Sequence, residues 1–217
     1  AGRREQSSRR KSRGRVRRGC RRADAWGTLS RMIAPTHRTA TYADVEALPD
    51  GMVGELIGGA LYAHARPAAP HASVHSRLGF LLGPAFDRGV GGPGGWLILH
   101  EPELRFDADV LVPDLAGWRR ERMPRRPDVP YFTLAPDWIC EVLSPATRRV
   151  DRMLKLPVYA RVGVRHAWLV DPIDRSIEVF RLGEAGWIVT RGAGEGEPVG
   201  LEPFDALPLD LTYLWGD

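Results

Sequence analysis

Residues 138–155 read WICEVLSPATRRVDRMLK, and each half of that stretch poses a question. Trp138-Ile139-Cys140-Glu141-Val142-Leu143 is apolar in both alternating phases, as a strand covered on both faces would be. Yet it carries Glu141 inside, and an ionised carboxylate there is expensive unless it is paired or bound to a metal. From Ser144-Pro145 the pattern turns helical through about Val162, with Pro157 expected to kink the helix. This segment holds Lys155, one of only two lysines in a chain that writes nearly every basic residue as Arg. The other, Lys11, lies in an irregular tail. Asp151, Lys155 and Tyr159 share one helix face at i, i+4 spacing. A helix packed on a sheet can direct a lysine tip back to the strand before it. Lysine is a compact point donor that can hold one water or one phosphate oxygen, so its retention says that the head-group matters.

Asp114 repeats the problem of Glu141, standing at the end of Val110-Leu111-Val112-Pro113. Two acids in or at the ends of apolar strands suggest one site where a cation holds both. Taken singly, each is better explained by solvent on an edge strand or by an arginine partner, since most acids are simply solvated.

Further out, Thr41 is placed to cap a short helix in YADVEALP, stopped by Pro49-Asp50-Gly51. MVGELIGGALYAHA predicts a hairpin about Gly58-Gly59. HASVHSRLGFLLGPAFDR has helical spacing, with Val74, Leu78, Leu81 and Leu82 as its stripe. A glycine-rich connection, 89–95, lacks the Lys and hydroxyl of a phosphate-binding loop. WLILH, ELRF and DVLVPDLAGW read as strands, and a polar Arg- and Pro-rich loop runs from Arg119 to Pro130. HAWLVDP reads as a buried strand, RSIEVFRL as a more exposed one, and GWIVT as its partner. This order predicts an α/β fold of the mixed, α+β kind: a central mixed sheet flanked by helices, with an N-terminal hairpin.

At 217 residues and 43% hydrophobic, the chain can bury one substantial core. No window approaches a membrane span and no signal-peptide core is visible, so a cytoplasmic location is expected. Cys20 and Cys140 lie in unlike contexts and predict no disulfide. The net charge of +4 sums two different parts. Residues 1–31 hold twelve Lys or Arg against Glu5 and Asp24, while the remainder carries nineteen basic and twenty-five acidic residues. Residues 1–31 read as a disordered basic tail that would bind nucleic acid nonspecifically. Because Met32 follows directly, the preferred reading is a misplaced translation start. Residues 32–217 are expected to form the folded domain.

GELIGGALY, PHASVHSRL, LVPDLAGW, EVLSPATRRVDRMLKLPVYARVGV and HAWLVDP together resemble the Uma-type family of restriction endonucleases, within the PD-(D/E)XK nuclease superfamily. The likeness runs from about Thr39 to Trp215. It implies a restriction-endonuclease-like core and a metal-dependent DNA endonuclease, with Mg²⁺ or Mn²⁺ held by Asp114 and Glu141. Asp114 matches the aspartate of the PD element and Glu141 the second acid. The superfamily's lysine normally stands two residues after that acid, where this chain has Leu143. The resemblance therefore implies a catalytic lysine moved to Lys155 on the next helix, and it adds Glu55 from the first hairpin. Removing any of these is expected to abolish activity without unfolding the protein. The alternatives are a nucleic-acid-binding protein that keeps the fold without turnover, or a partner-binding module whose Asp114, Glu141 and Lys155 form a buried ion network. DNA is the expected partner, and duplex cleavage makes a homodimer plausible as an assembly.

Arg119 and Arg120 after Asp114, and Arg148, Arg149 and Arg152 after Glu141, are candidates to grip phosphates, or else ordinary solvated charge. His71 and His75 have a zinc-compatible i, i+4 spacing, but no glutamate follows His71 and no cysteines assist, so a surface or capping role is expected, with a place near the nuclease site for His71 the alternative that the resemblance of this helix start leaves open. Asp171 before Pro172 reads as a turn former. Cys140 reads as a small buried side chain on the face opposite Glu141.

Overall fold

The computed structural model describes residues 38–65, 68–196 and 198–216. The basic segment 1–31 and Met32 lie outside the described residues. Helix α1 (Tyr42–Glu46) starts at Thr41, whose backbone N–H donates to Asp44 at 2.8 Å. Strands β1 (Met52–Ile57) and β2 (Ala60–Ala65) form the expected hairpin. Gly58 and Gly59 take φ +59° and +79°, a left-handed pair that only a two-residue turn of this kind requires and that glycine adopts without penalty. Helix α2 (Ala69–Leu82) buries Val74, Leu78 and Leu82 as its stripe predicts, together with His71, and runs on into a π-turn at Gly83–Asp87.

Among the described residues, ten strands make two sheets rather than one. The larger has the order β10-β9-β8-β7-β6-β3, from β3 (Trp96–His100), β6 (Leu115–Arg119), β7 (Trp138–Val142), β8 (His166–Asp171), β9 (Ser176–Gly183) and β10 (Gly186–Ala193). The smaller has the order β2-β1-β5-β4, adding β4 (Leu104–Phe106) and β5 (Asp109–Leu111). The hairpin is therefore half of a second sheet, not an appendage. DVLVPDLAGW, expected as one strand, is divided between the two sheets as β5 and β6. Pro113 cannot donate a ladder hydrogen bond, and the chain changes sheets at Val112-Pro113-Asp114.

Strand β7 is central, antiparallel to β6 and parallel to β8. Trp138, Cys140 and Val142 face one core, shared with α2 and the C-terminal helix α5 (Thr212–Trp215). Ile139 and Leu143 face the other, which lies under the small sheet and the crossover helix. With side chains alternating along a strand, Glu141 falls on this second face and Cys140 on the first. The crossover from β7 to β8 is α3 (Arg148–Val150), a π-turn at Asp151–Lys155, and α4 (Leu156–Arg161). It begins four residues later than expected, after a turn in which Ser144 accepts from the Thr147 N–H. Pro157 lies in the first turn of α4, where its missing N–H costs little. In a regular α-helix its ring would press on the Met153 carbonyl, and the wider π-turn before it relieves that contact. Among the described residues, no helix is long and apolar enough to cross a membrane.

Candidate active site

Glu55, Glu141 and Lys155 come from three elements and meet between the sheets, each about 2% exposed. Lys155 Nζ, carried by the π-turn, lies 2.9 Å from Glu55 Oε1 and 2.9 Å from both oxygens of Glu141. It also donates to the Val112 carbonyl at 3.3 Å and lies 3.6 Å from Asp151. Tyr159, one helical turn on, donates its hydroxyl to Glu141 at 2.6 Å. Glu55 accepts the Val112 N–H at 2.8 Å, tying the hairpin to the crossing between sheets.

Asp114 sits at that crossing. Its Oδ2 accepts the Val142 N–H of β7 at 2.7 Å, and its Oδ1 lies 3.2 Å from His71 Nε2. The expected capping role of His71 does not hold: its side chain is buried and turned onto Asp114. The signal for its place near the site is the resemblance itself, whose PHASVHSRL block opens this helix. Asp151, read only as part of a helical face, proves to be a buried third acid of the lysine cage.

One lysine among three carboxylates sets the electrostatics. Burial alone would lower the Lys155 pKa, but Glu141, Glu55, Tyr159 and Asp151 raise it well above the ordinary value, so it stays charged. Burial pushes Glu141 well above the usual carboxylate range, against the pull of Lys155, and Asp151, Asp114 and Glu55 push it further. Burial likewise raises Asp151 to about 6, Lys155 opposing and Glu55 assisting. The cage thus holds more acid than one lysine can neutralise, and it retains a proton. Asp114 differs. Burial works against its charge, but the His71 hydrogen bond and charge, the Val142 N–H and Lys155 outweigh burial and hold its pKa below the ordinary value. Asp114 is thus an acid whose charged form its surroundings favour.

Glu141 has both oxygens engaged by Lys155 and Tyr159. The Asp114 side of the site is more open, and there His75, Glu101 and Asp114 each offer one ligand atom within 4.8 Å of the others. Carboxylate oxygens and an imidazole nitrogen suit a divalent cation.

The arginine candidates are mostly spoken for. Arg119 lies over the Trp96 ring at 4.1 Å. Arg120 pairs with Asp87, Arg148 with Asp171, and Arg152 with Glu178. Arg149 is exposed. Asp171 forms its turn as expected, accepting the Ile173 and Asp174 N–H groups at 2.9 and 3.1 Å. Cys140 is fully buried in the core opposite Glu141.

A family model described as "Uma2: Putative restriction endonuclease" matches residues 40–212. Among solved structures, this fold is similar to one described as "a putative nuclease belonging to DUF820" from Anabaena variabilis. The TM-score is 0.62 at 22% identity, covering 81% of this chain and 97% of the other. No protein of curated function matches the sequence.

Proposed function

This chain belongs to the Uma2 family, and on that premise we propose that it is a metal-dependent DNA endonuclease hydrolysing phosphodiester bonds. One observation carries the reading. An ionised Asp114, a buried Glu141 and the cage lysine Lys155 converge from three separate elements, joined through the Val142 N–H and the Lys155–Glu141 contact. Asp114, with Glu141, would hold Mg²⁺ or Mn²⁺. Such an ion supplies a bound water acidic enough to yield hydroxide near neutral pH and polarises the phosphoryl oxygens.

The residues do the rest. Lys155 is held charged and is aimed by Glu55 and Glu141, so it orients the attacking water and offsets charge gathering on the phosphate. Glu55 positions Lys155 and, through the Val112 N–H, the backbone that carries Asp114. Tyr159 holds Glu141 in register. Arg148, Arg149 and Arg152 lie on the helix that carries Lys155, and exposed Arg149 is the member best able to meet a phosphate without first leaving a partner. Arg119 and Arg120 are secondary in this role. Cutting both strands of a duplex takes two such sites, which a homodimer would provide.

A second reading is supported by how deeply Glu55, Glu141 and Lys155 are buried, at 2% each. It is a protein that keeps the fold to bind nucleic acid or a partner without turnover. Plasmid nicking by the full chain with Mn²⁺, with Mg²⁺ and with excess chelator decides between them. Metal-dependent nicking that falls at least about a hundredfold in Asp114→Asn supports the endonuclease. DNA retention without nicking under any metal supports the second reading and sinks the first.

A further inference from the structure

Many of the acids of this protein have an arginine partner. Asp44, Asp87, Glu103, Asp109, Asp137, Asp171, Glu178, Glu195 and Glu202 each have an arginine within ion-pair distance. Asp114 and Glu101 are not among them: within the described residues neither has a lysine or arginine at that distance, as is also true of several acids elsewhere on the surface, but these two are brought together. In place of such a partner stand histidines. His71 and His75 come from one face of α2, and His100 from the end of β3. Glu101 follows His100, and its backbone N–H donates to the Asp114 carbonyl at 2.9 Å, fixing the two acids side by side. A pair of carboxylates lined by imidazoles rather than guanidinium groups leaves a negative potential that suits a cation.

Two further observations point to a ligand. His71 has a side chain nine-tenths buried, turns Nε2 onto Asp114, and has no hydrogen-bond partner for its buried Nδ1. The fold also makes room for the next layer. His100 Nδ1 lies 3.0 Å from His75 Nε2, the kind of contact that orients a ligating imidazole. The His100 ring lies where a side chain at Gly79 would stand, its Cε1 and Nε2 only 2.3 and 2.5 Å from a Cβ built there. A glycine inside a helix is less stable than alanine there, and at Gly79 what it admits is the histidine that steadies His75.

The geometry points to a mixed nitrogen–oxygen metal centre at His75, Glu101 and Asp114 that takes a divalent transition-metal ion of the Mn²⁺ class in preference to Mg²⁺. This rests on the metal-dependent reading and deepens it. Donor atoms on such an ion, each about 2.1 Å from it, stand at most about 4.2 Å apart. The observed spread, within 4.8 Å, closes with small side-chain rotations. Magnesium prefers an all-oxygen shell that keeps several waters, whereas an imidazole donor favours transition metals. Glu141 enters the coordination only when Lys155 or Tyr159 lets go, while Glu101 has no such tie to break among the described residues.

Pulsed electron paramagnetic resonance on Mn²⁺ bound to the full chain tests this directly, because a coordinated imidazole modulates the echo through its ¹⁴N nucleus. The expected result is ¹⁴N modulation that survives a tenfold excess of Mg²⁺ and disappears in His75→Gln. Mn²⁺ affinity should fall at least about tenfold in His75→Gln and in Glu101→Gln. Glu101 is exposed, so its variant tests the centre even if a histidine change disturbs packing. Mn²⁺ that binds without ¹⁴N modulation, and that is lost in Asp114→Asn but unmoved by these two variants, overturns the mixed centre and leaves the metal-dependent reading standing. No Mn²⁺ bound by the unaltered protein overturns both.

Discussion

Replacing Lys155 with methionine keeps much of the side chain's length and removes only the charged head. The sequence alone leads one to expect a protein that stays folded and loses activity. The structure argues otherwise. Lys155 Nζ is within 3.6 Å of Glu55, Glu141 and Asp151, all buried, and no other cation reaches them among the described residues. Removing one partner of a buried ion pair costs about 3–5 kcal/mol, because the remaining charge loses its compensation. Against a typical total of roughly 5–15 kcal/mol, this is a large fraction of the protein's stability. The loss must also depend on pH. Without the lysine, Glu141 and Asp151, whose carboxyls burial already raises, hold their protons more tightly in the folded state. A carboxyl whose folded pKa exceeds its unfolded value stabilises the protein at low pH, and that stability disappears as pH rises between the two values. Urea unfolding of Lys155→Met should therefore show a deficit of at least about 3 kcal/mol at pH 8, shrinking to under about 2 at pH 5. Adding Glu141→Gln should return part of the pH 8 loss, since it deletes one uncompensated charge. A deficit below about 1 kcal/mol and equal at both pH values would refute the buried cage. A consequence follows for assays: loss of activity in a Lys155 variant cannot be separated from loss of fold without a melting curve beside it.

Asp151→Asn probes the same cage from its acid side. With the Asp151 carboxyl raised from 3.8 to about 6, the unaltered protein should lose about 3 kcal/mol relative to the variant as pH rises from below 4 to above 6. Parallel stability curves for the two proteins would contradict that. Cys140, fully buried with its thiol pushed well up by burial and by Asp114 and Glu141, should resist iodoacetamide in the native protein and react only in denaturant. Peptide mapping that finds Cys140 alkylated under native conditions would place it somewhere other than the core.

Much of this protein can be read along the chain because the reasons are local. Gly58-Gly59 between two β-rich runs specifies a tight hairpin whatever surrounds it. The stripe Val74, Leu78, Leu82 specifies one buried face of α2. Five apolar residues around a single acid mark β7 as a covered strand, and a lone lysine among arginines marks Lys155 as a head-group with a task. What stayed hidden is what depends on neighbours distant in sequence. Whether Val110–Trp118 is one strand or two depends on which sheet each half joins, and Pro113 marks the break only once both sheets exist. Asp151 and His71 look like ordinary helical polar residues until packing buries them against Glu141's lysine and against Asp114. His75 lies in α2, while His100 and Glu101 lie at the end of β3 twenty-five residues on, and only the approach of β3 to Gly79 unites them. The sequence by itself determined the secondary elements, the covered central strand and the acids and lysine worth watching, since propensity, periodicity and composition act over a few residues. Only the tertiary structure decided where the surroundings favour a carboxylate's charged form and where they favour its proton, because burial and the nearest counter-charge are set by chain segments tens of residues apart.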